Sequence, residues 1–437
     1  MKKLLALLLC VMMLVPMAAM ADDGRIHITY SFWGNQTEAE GVQAALDEFN
    51  ASQNRIFVEP MQIPNEEYTE TLVNYAIAGQ LPDCGMVNEN AVLYFARNGV
   101  MADVSDMYVG EALQPMDCIT FRDGGTPVGY SSCNEILVLY YNKDMFDAAG
   151  IPYPSATEPY TWEEFLEVSR QLTFDKNGKH PGEEGFDPNN IVQYGCFVNN
   201  WTWQMEVWAL SNGGAWFSED GTQVLINSPE AIESIQMVAD LALVHHVAPL
   251  NVIPEDNGVG IGIGSGTVAM TTDGTWRLGT DFPNLDINYG IAPLPVMKEQ
   301  VTLCTSGLTG VFNGPNQAAA YEFVKWYTRE ESNWNSLILT GIWMPKSEYY
   351  YTTEDGINAW LGNEAYPFKD MEAGRAVLVD YTMNYAKPAC WYYTPNTQIT
   401  TNEILFTALQ SVWSGERTAE DVINEIYPEL CDAIVID

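Results

Sequence analysis

The chain has 437 residues, 47% of them hydrophobic, with 19 basic against 58 acidic side chains and a net charge of −39. Such a charge repels nucleic acid and anionic membranes, which excludes both as partners. It also disfavours anionic ligands at long range, yet it names no ligand, because most surface carboxylates are simply solvated.

Residues 1–21 read as a cleavable secretory signal peptide. Lys2 and Lys3 form a positive n-region, Leu4 to Val15 is an unbroken apolar run, and Ala19-Met20-Ala21 gives a small-residue cleavage site before Asp22. The run is shorter than the ~20 residues a spanning helix needs, and Pro16 ends it. Cys10 lies in mid-run behind Leu7-Leu8-Leu9, a poor setting for a lipid-anchor cysteine. The residues predict export to a periplasmic or extracellular location and leave lipid anchoring open. The roughly 400 residues that follow exceed one ordinary core and predict two lobes.

The remaining cysteines, Cys84, Cys118, Cys133, Cys196, Cys304, Cys390 and Cys431, are odd in number and irregularly spaced. They read mostly as buried small apolar side chains, with room for one or two disulfides. No Cys/His cluster suggests a metal site. His245 and His246 are adjacent, so on a helix their side chains point apart.

Ile26 to Trp33 predicts a strand. Thr37 to Asn50 predicts an amphipathic helix with Val42, Ala45, Leu46 and Phe49 on one stripe. Arg55–Glu59 is a second strand, Glu66–Ala78 a helix ended by Gly79, and Cys84–Val87 a third strand before a helix from Asn90 to Arg97. This alternation predicts a parallel α/β sheet covered on both faces. Further on, Glu135–Tyr141 is a strand, Asn142 opens a short helix, and Thr161 with Glu164 forms a capping box. Trp201–Asn212 predicts a helix, as does the stretch from Ser228-Pro229 to His245. Tyr289–Pro295 predicts a strand, and Asn316–Tyr327 and Asn402–Ser414 predict helices. Gly258–Gly266 contains no nucleotide-binding fingerprint and reads as the approach to a strand.

Trp33-Gly34-Asn35 follows the first strand, where open α/β sheets place ligands. Trp33 and Asn35 are therefore candidate ligand residues, with a core Trp33 as the alternative. Asp83, in a Leu-Pro-Asp turn, reads as structural, bonding the backbone of its own turn.

Five stretches together resemble one family. They are Ala78-Gly79-Gln80-Leu81-Pro82-Asp83 with Asn98–Val104; Leu139–Phe146 with Ala149-Gly150-Ile151 and Tyr160–Phe165; Gly264–Met270; Ala320–Trp326 with Gly341-Ile342-Trp343-Met344-Pro345; and Ser414–Val422. In this order they resemble the extracellular solute-binding proteins of ABC importers, in the sugar-binding class that includes maltodextrin-binding proteins. The resemblance implies a two-lobe α/β periplasmic-binding-protein-like fold with a hinge and an interlobe ligand cleft. It implies hinge closure around a small-molecule ligand, here a sugar, and delivery to a membrane permease. It implies a monomer without cofactor or metal, and no catalysis. We place lobe 1 in 22–135 plus 290–335 and lobe 2 in 136–289 plus 336–437.

Sugars present hydroxyls and apolar ring faces, so a site needs aromatic plates with carboxylates and amides. By the resemblance, Asn88-Glu89-Asn90 match a ligand-contacting loop, with Val87 where the family has an aromatic; helix capping is the alternative for Asn88 and Asn90. Glu135, six residues before Tyr141, matches a carboxylate that reaches ligand from the hinge. Trp201 and Trp203 fall where the family carries a carboxylate and an aromatic. Trp201 replaces the carboxylate, and Glu206 one turn on is positioned to supply the charge. Asp273-Gly274-Thr275-Trp276 matches a segment with a stacking tryptophan, which makes Trp276 the foremost candidate and Asp273 its neighbour. Trp343 and Trp391 are candidates that core packing would equally explain. Two alternatives remain open from the residues: a polyamine or ferric-iron binder, the latter through pairs such as Tyr392-Tyr393, and a secreted glycoside hydrolase.

Overall fold

The computed structural model describes residues 23–250 and 262–434. The expected signal peptide and residues 258–261 of the Gly258–Gly266 run lie outside them.

Strand β1 (Ile26–Phe32) is followed by the helix Gln36–Ser52. Asn35 Oδ1 accepts from the N–H groups of Thr37 and Glu38, and Glu38 accepts in return from the Asn35 N–H at 2.8 Å. This closed capping box fixes where the helix starts, and the stripe Val42, Ala45, Leu46 and Phe49 is buried as its spacing predicts. Strands β2 (Ile56–Gln62) and β3 (Cys84–Val87) flank β1 on either side, both parallel to it. Asp83 is structural, but its partner differs from the expected one. Its carboxylate accepts from the Thr29 N–H of β1 at 2.9 Å, so it ties two strands together rather than its own turn.

A hairpin of β4 (Thr120–Asp123) and β5 (Thr126–Tyr130) precedes β6 (Glu135–Asn142), which pairs with three other strands of the second sheet. Then come β7 (Phe174–Asp175), β8 (Ile191–Val198), β9 (Val268–Gly274), β10 (Tyr289–Ala292), β11 (Thr302–Thr305), β12 (Leu308–Val311) and β13 (Ala386–Pro388). One sheet runs β12-β3-β1-β2; the other runs β13-β11-β6-β9-β8-β7, with β10 also on β6.

Neither sheet is purely parallel, contrary to the alternation argument. β12 is antiparallel to β3, and β6 is antiparallel to β9, β10 and β11. Antiparallel neighbours need no crossover helix, and the link from β11 to β12 is only two residues, Ser306-Gly307. That link carries the chain from one sheet to the other. On the near side of that link, β10 and β11 pair with β6 in the second sheet.

The Thr161–Glu164 capping box forms as expected, and Ser228 caps the helix Pro229–Leu243. Three boundaries differ. The expected helix 201–212 is split into a 3-10 turn, Thr202–Met205, and the helix Glu206–Ser211. The strand from Tyr289 stops at Ala292, because Pro293 has no N–H to continue the ladder. The expected helix 402–414 begins earlier, as a wide π turn over Gln398–Leu405 that continues into the helix Phe406–Trp413.

Trp208, Trp216, Trp360 and Trp391 are fully buried, each stabilising the core by about 2–3 kcal/mol. Trp33, Trp201, Trp203, Trp276 and Trp343 instead line the space between the sheets.

Cys118 and Cys304 bring their sulfurs to 2.9 Å, joining the turn Asp117–Ile119 to β11. With oxidised glutathione as the oxidant, the two thiols are expected to give up two protons and two electrons and form a 118–304 disulfide. Non-reducing peptide mapping would show the cross-linked pair, and Cys118→Ser would remove it. All thiols remaining titratable after oxidation would contradict this.

Candidate functional site

Three strand ends of the two sheets open into one cleft. Trp33 follows β1, Asn88 follows β3, and Trp276 follows β9. The cleft has a volume of about 1100 Å³, at the upper end for a small-molecule site. Of the twelve residues predicted from sequence, ten line it: Trp33, Asn35, Asn88, Glu89, Asn90, Glu135, Trp201, Trp203, Trp276 and Trp343.

Local sequence explains how the indoles are held. Trp33 sits edge-on to Tyr68, ring centres 4.9 Å apart, and the Tyr68 hydroxyl is fixed by hydrogen bonds with Ser31 Oγ and the Met86 carbonyl. Trp33 also packs over Gly307, where a Cβ would come within 2.9 Å of its ring. Trp276 folds back on Gly274, where a Cβ would lie 1.8 Å from the ring. Both glycines are thus platforms that let an indole lie flat on backbone. On the second wall, ring centres run from Trp201 to Trp203 at 6.4 Å and from Trp203 to Trp276 at 6.0 Å. Behind them Trp391 meets Trp203 edge-on at 5.0 Å.

Two predicted residues lie outside the cleft. Trp391 is 1% exposed and serves as the backing of Trp203. Asp273 is 4% exposed and accepts from Arg277 Nε at 2.9 Å. Arg277 also donates to Asp281 at 2.6 Å. A buried guanidinium must be paired, and Asp273 does that work from below. Glu206 does not supply a cleft charge either. It is buried and accepts from the Cys390 N–H at 2.9 Å, holding the backbone beneath Trp391. Tyr392 is likewise buried, hydrogen-bonded to Ser131 and Ser306.

Asn88 does not cap the following helix with its side chain; its Oδ1 accepts from Thr69 Oγ1 at 2.9 Å. Asn90 is buried against the cleft with its Oδ1 unpartnered.

The carboxyl groups are strongly perturbed. Burial pushes Glu89 up to about 7. Burial does the same to Glu38, also to about 7, with Asp281 adding to the rise and the Asn35 N–H and Arg277 opposing it. Glu135 is raised well above the ordinary range, by burial first and then by the charges of Glu89 and Glu38. These three carboxyls therefore share one field across the cleft.

Sequence reasoning missed Glu38, Arg277, Asp281, Thr305 and Asn402, all of which line the cleft. The capping pattern Asn35-x-x-Glu38 was visible but reads as helix initiation, and nothing local reports that it faces a cavity. Asn402 arrives on the π turn, a feature that often marks functional positions. Two hydrogen bonds join the walls: Asn35 Nδ2 to Thr280 O, and Thr397 Oγ1 to Asn90 O, both at 3.4 Å.

The fold is similar to that of an ABC substrate-binding protein from Listeria monocytogenes in complex with cycloalternan. The TM-score is 0.76 at 21% identity, over 93% of this chain and 98% of that one. It is also similar to the maltose/maltodextrin-binding domain of Bdellovibrio bacteriovorus bound to maltotriose, with a TM-score of 0.72 at 18% identity over 93% and 99%. These likenesses establish the two-lobe periplasmic-binding-protein-like fold. In sequence, the chain is 29% identical over 294 residues to the sn-glycerol-3-phosphate-binding periplasmic protein of Brucella abortus, covering 61% of each. It is 23% identical over 326 residues to the maltotriose-binding protein of Pyrococcus abyssi, covering 71% of this chain and 64% of that protein. The chain thus spans less than two thirds of the length of these curated relatives. The family model for bacterial extracellular solute-binding proteins matches residues 33–334, and the chain belongs to that family.

Proposed function

We propose that this protein captures a carbohydrate, a mono- or oligosaccharide, outside the cytoplasm and delivers it unchanged to the permease of an ABC importer. The observation that carries the reading is the cleft itself. Five tryptophans and three glutamates line one cavity of about 1100 Å³, the combination of flat apolar plates and hydrogen-bonding groups that sugar rings require. Trp33, Trp201, Trp203 and Trp276 are the stacking surfaces, with Trp343 at the edge. Asn35, Asn88, Glu89, Asn90 and Glu135 bond hydroxyls. The first lobe carries β1, β2, β3 and β12, and the second carries β6 to β11 and β13. The chain crosses between them near Glu135, at Ser306-Gly307 and again between β12 and β13, and ligand draws the lobes together. The protein acts as a monomer, and no helix among the described residues is long and apolar enough to cross a membrane.

The glycerol-phosphate relatives suggest a second ligand, but charge opposes it. Glu38, Glu89, Glu135 and Asp281 line the cleft against a single arginine, already engaged by two carboxylates. Among the described residues, no further cation lines the cleft to meet a phosphate dianion.

The test is a thermal-shift screen of the exported form against sugars, polyamines, glycerol 3-phosphate and divalent and ferric ions. A ligand that binds only the folded state raises the melting point by mass action. Sugars are expected to do so. Stabilisation by polyamine, phosphate ester or metal alone would sink the carbohydrate reading.

A further inference from the structure

The cleft concentrates acidic side chains. Glu38, Glu89, Glu135 and Asp281 all line it. Asn90 is 8% exposed, lines the same wall, and leaves its Oδ1 without a hydrogen-bond partner. Several polar side chains of the cleft are already engaged within the protein. Arg277 donates to Asp273 and Asp281, Asn35 Nδ2 donates to Thr280 O, and the Ser132 and Thr309 hydroxyls share a hydrogen bond at 2.6 Å. A buried acceptor left unmatched is costly, so the occupant must bring donors. It must also relieve the mutual repulsion among carboxylates that burial has already made hard to ionise.

A small metal ion does not fit this arrangement. Among the described residues no three His, Cys, Asp or Glu side chains are grouped to hold one. The acids are spread along a cavity walled by indoles instead. An organic cation suits that geometry. An ammonium donates three hydrogen bonds and carries the compensating charge, and indole faces attract it further.

We propose that the preferred ligand is an amino sugar: a saccharide bearing at least one protonated, unacylated amine, placed between Glu89, Glu135 and Asn90. This rests on the carbohydrate reading and narrows it. The sugar ring stacks on the tryptophan wall formed by Trp203 and Trp276. The ammonium sits among the acids and draws their remaining protons off, because a cation stabilises the carboxylate form.

Matched pairs of saccharides differing only by an amino group for a hydroxyl test this by calorimetry at pH 7.5. Glucosamine with glucose, galactosamine with galactose, and the glucosamine disaccharide with cellobiose serve as pairs. At least one amine is expected to bind about tenfold or more tighter than its hydroxyl twin. Its binding enthalpy should depend on the buffer's ionisation enthalpy, reporting the net of proton release by the carboxyls and uptake by the amine, while the twin's should not. Glu135→Gln is expected to shrink the gap between the twins to about threefold or less. That narrowing is a readout that a general loss of folding would not produce. Hydroxyl twins binding as tightly as the amines, or neutral oligosaccharides binding when no amino sugar does, would overturn the inference and leave the carbohydrate reading intact. Spermidine binding with no saccharide bound would overturn both, as would no binding by any of these probes.

Discussion

Replacing Trp276 with alanine is expected to weaken ligand binding at least about tenfold, a loss of about 1.4 kcal/mol or more, while the apo protein's melting temperature barely moves. The argument rests on where the ring sits. One face of Trp276 lies on Gly274, which has no side chain to lose contact with. One edge meets Trp203, and the rest lines the cleft. The ring is only partly buried in the empty protein, so its removal opens no closed cavity and costs little stability. A stacked sugar ring, in contrast, loses its plate, and aromatic contacts of this kind contribute about 0.5–1.5 kcal/mol beyond the area they bury. Trp391→Ala is the informative contrast. That ring is fully buried behind Trp203, so its loss should lower the melting temperature and weaken binding only through a loosened Trp203. Titration of both variants with the ligand found in the screen, alongside apo melting curves, checks the pair. A large apo destabilisation in Trp276→Ala would place that ring in the core.

The contrast between these two tryptophans also shows what a sequence can carry. The local signals were strong where backbone chemistry dictates them. The capping box at Thr161 forms as its spacing predicts, and the glycine before Trp276 marks a close approach that any side chain would block. Which tryptophan faces the cleft was legible for Trp33 and Trp276, because each follows a strand end. It was not legible for Trp391, whose surroundings come from Trp203, nearly two hundred residues earlier in the chain. Asp273 failed for a related reason. An acid beside a candidate tryptophan suggests a ligand contact, but Arg277, one helical turn on, captures it. The mixed sheets were hidden because strand direction depends on pairing partners, and β10, β11 and β12 find theirs on β6 and β3 far upstream. The shared field of Glu38, Glu89 and Glu135 is likewise a tertiary property, since the three carboxyls come from three separate segments.

That field has a consequence for stability. The apo protein is expected to be more stable at pH 5 than at pH 8, and Glu89→Gln is expected to remove part of the difference. Glu38 and Glu89 titrate near 7 in the folded protein, against an ordinary value of 4.5. The folded state therefore holds more protons than the unfolded chain between about 4.5 and 7, and its stability falls as pH rises through that window. One pKa unit corresponds to about 1.4 kcal/mol. Allowing for the partial solvent access of both groups, each penalises the folded state at pH 8 by about 1–3 kcal/mol. Carboxylates whose values are depressed act elsewhere. Glu354, held down by Arg375, and Asp175, whose loop N–H groups outweigh its burial, lose their contribution only below the ordinary carboxylate range. Two histidines do fall within the window: His27, raised by Glu59 and Asp23, and His245, lowered by burial. The difference between wild type and variant cancels both. Glutamine mimics the protonated carboxyl in shape and hydrogen bonding, so Glu89→Gln should match wild type at pH 5. At pH 8 it should be the more stable protein by about 1–3 kcal/mol. Urea unfolding at the two pH values measures this directly. A variant less stable than wild type at pH 8 would mean that the Glu89 carboxylate is compensated in the empty cleft. The uncompensated acidic wall inferred for the amino-sugar site would then be absent, which links the stability of the apo protein to the chemistry of its ligand.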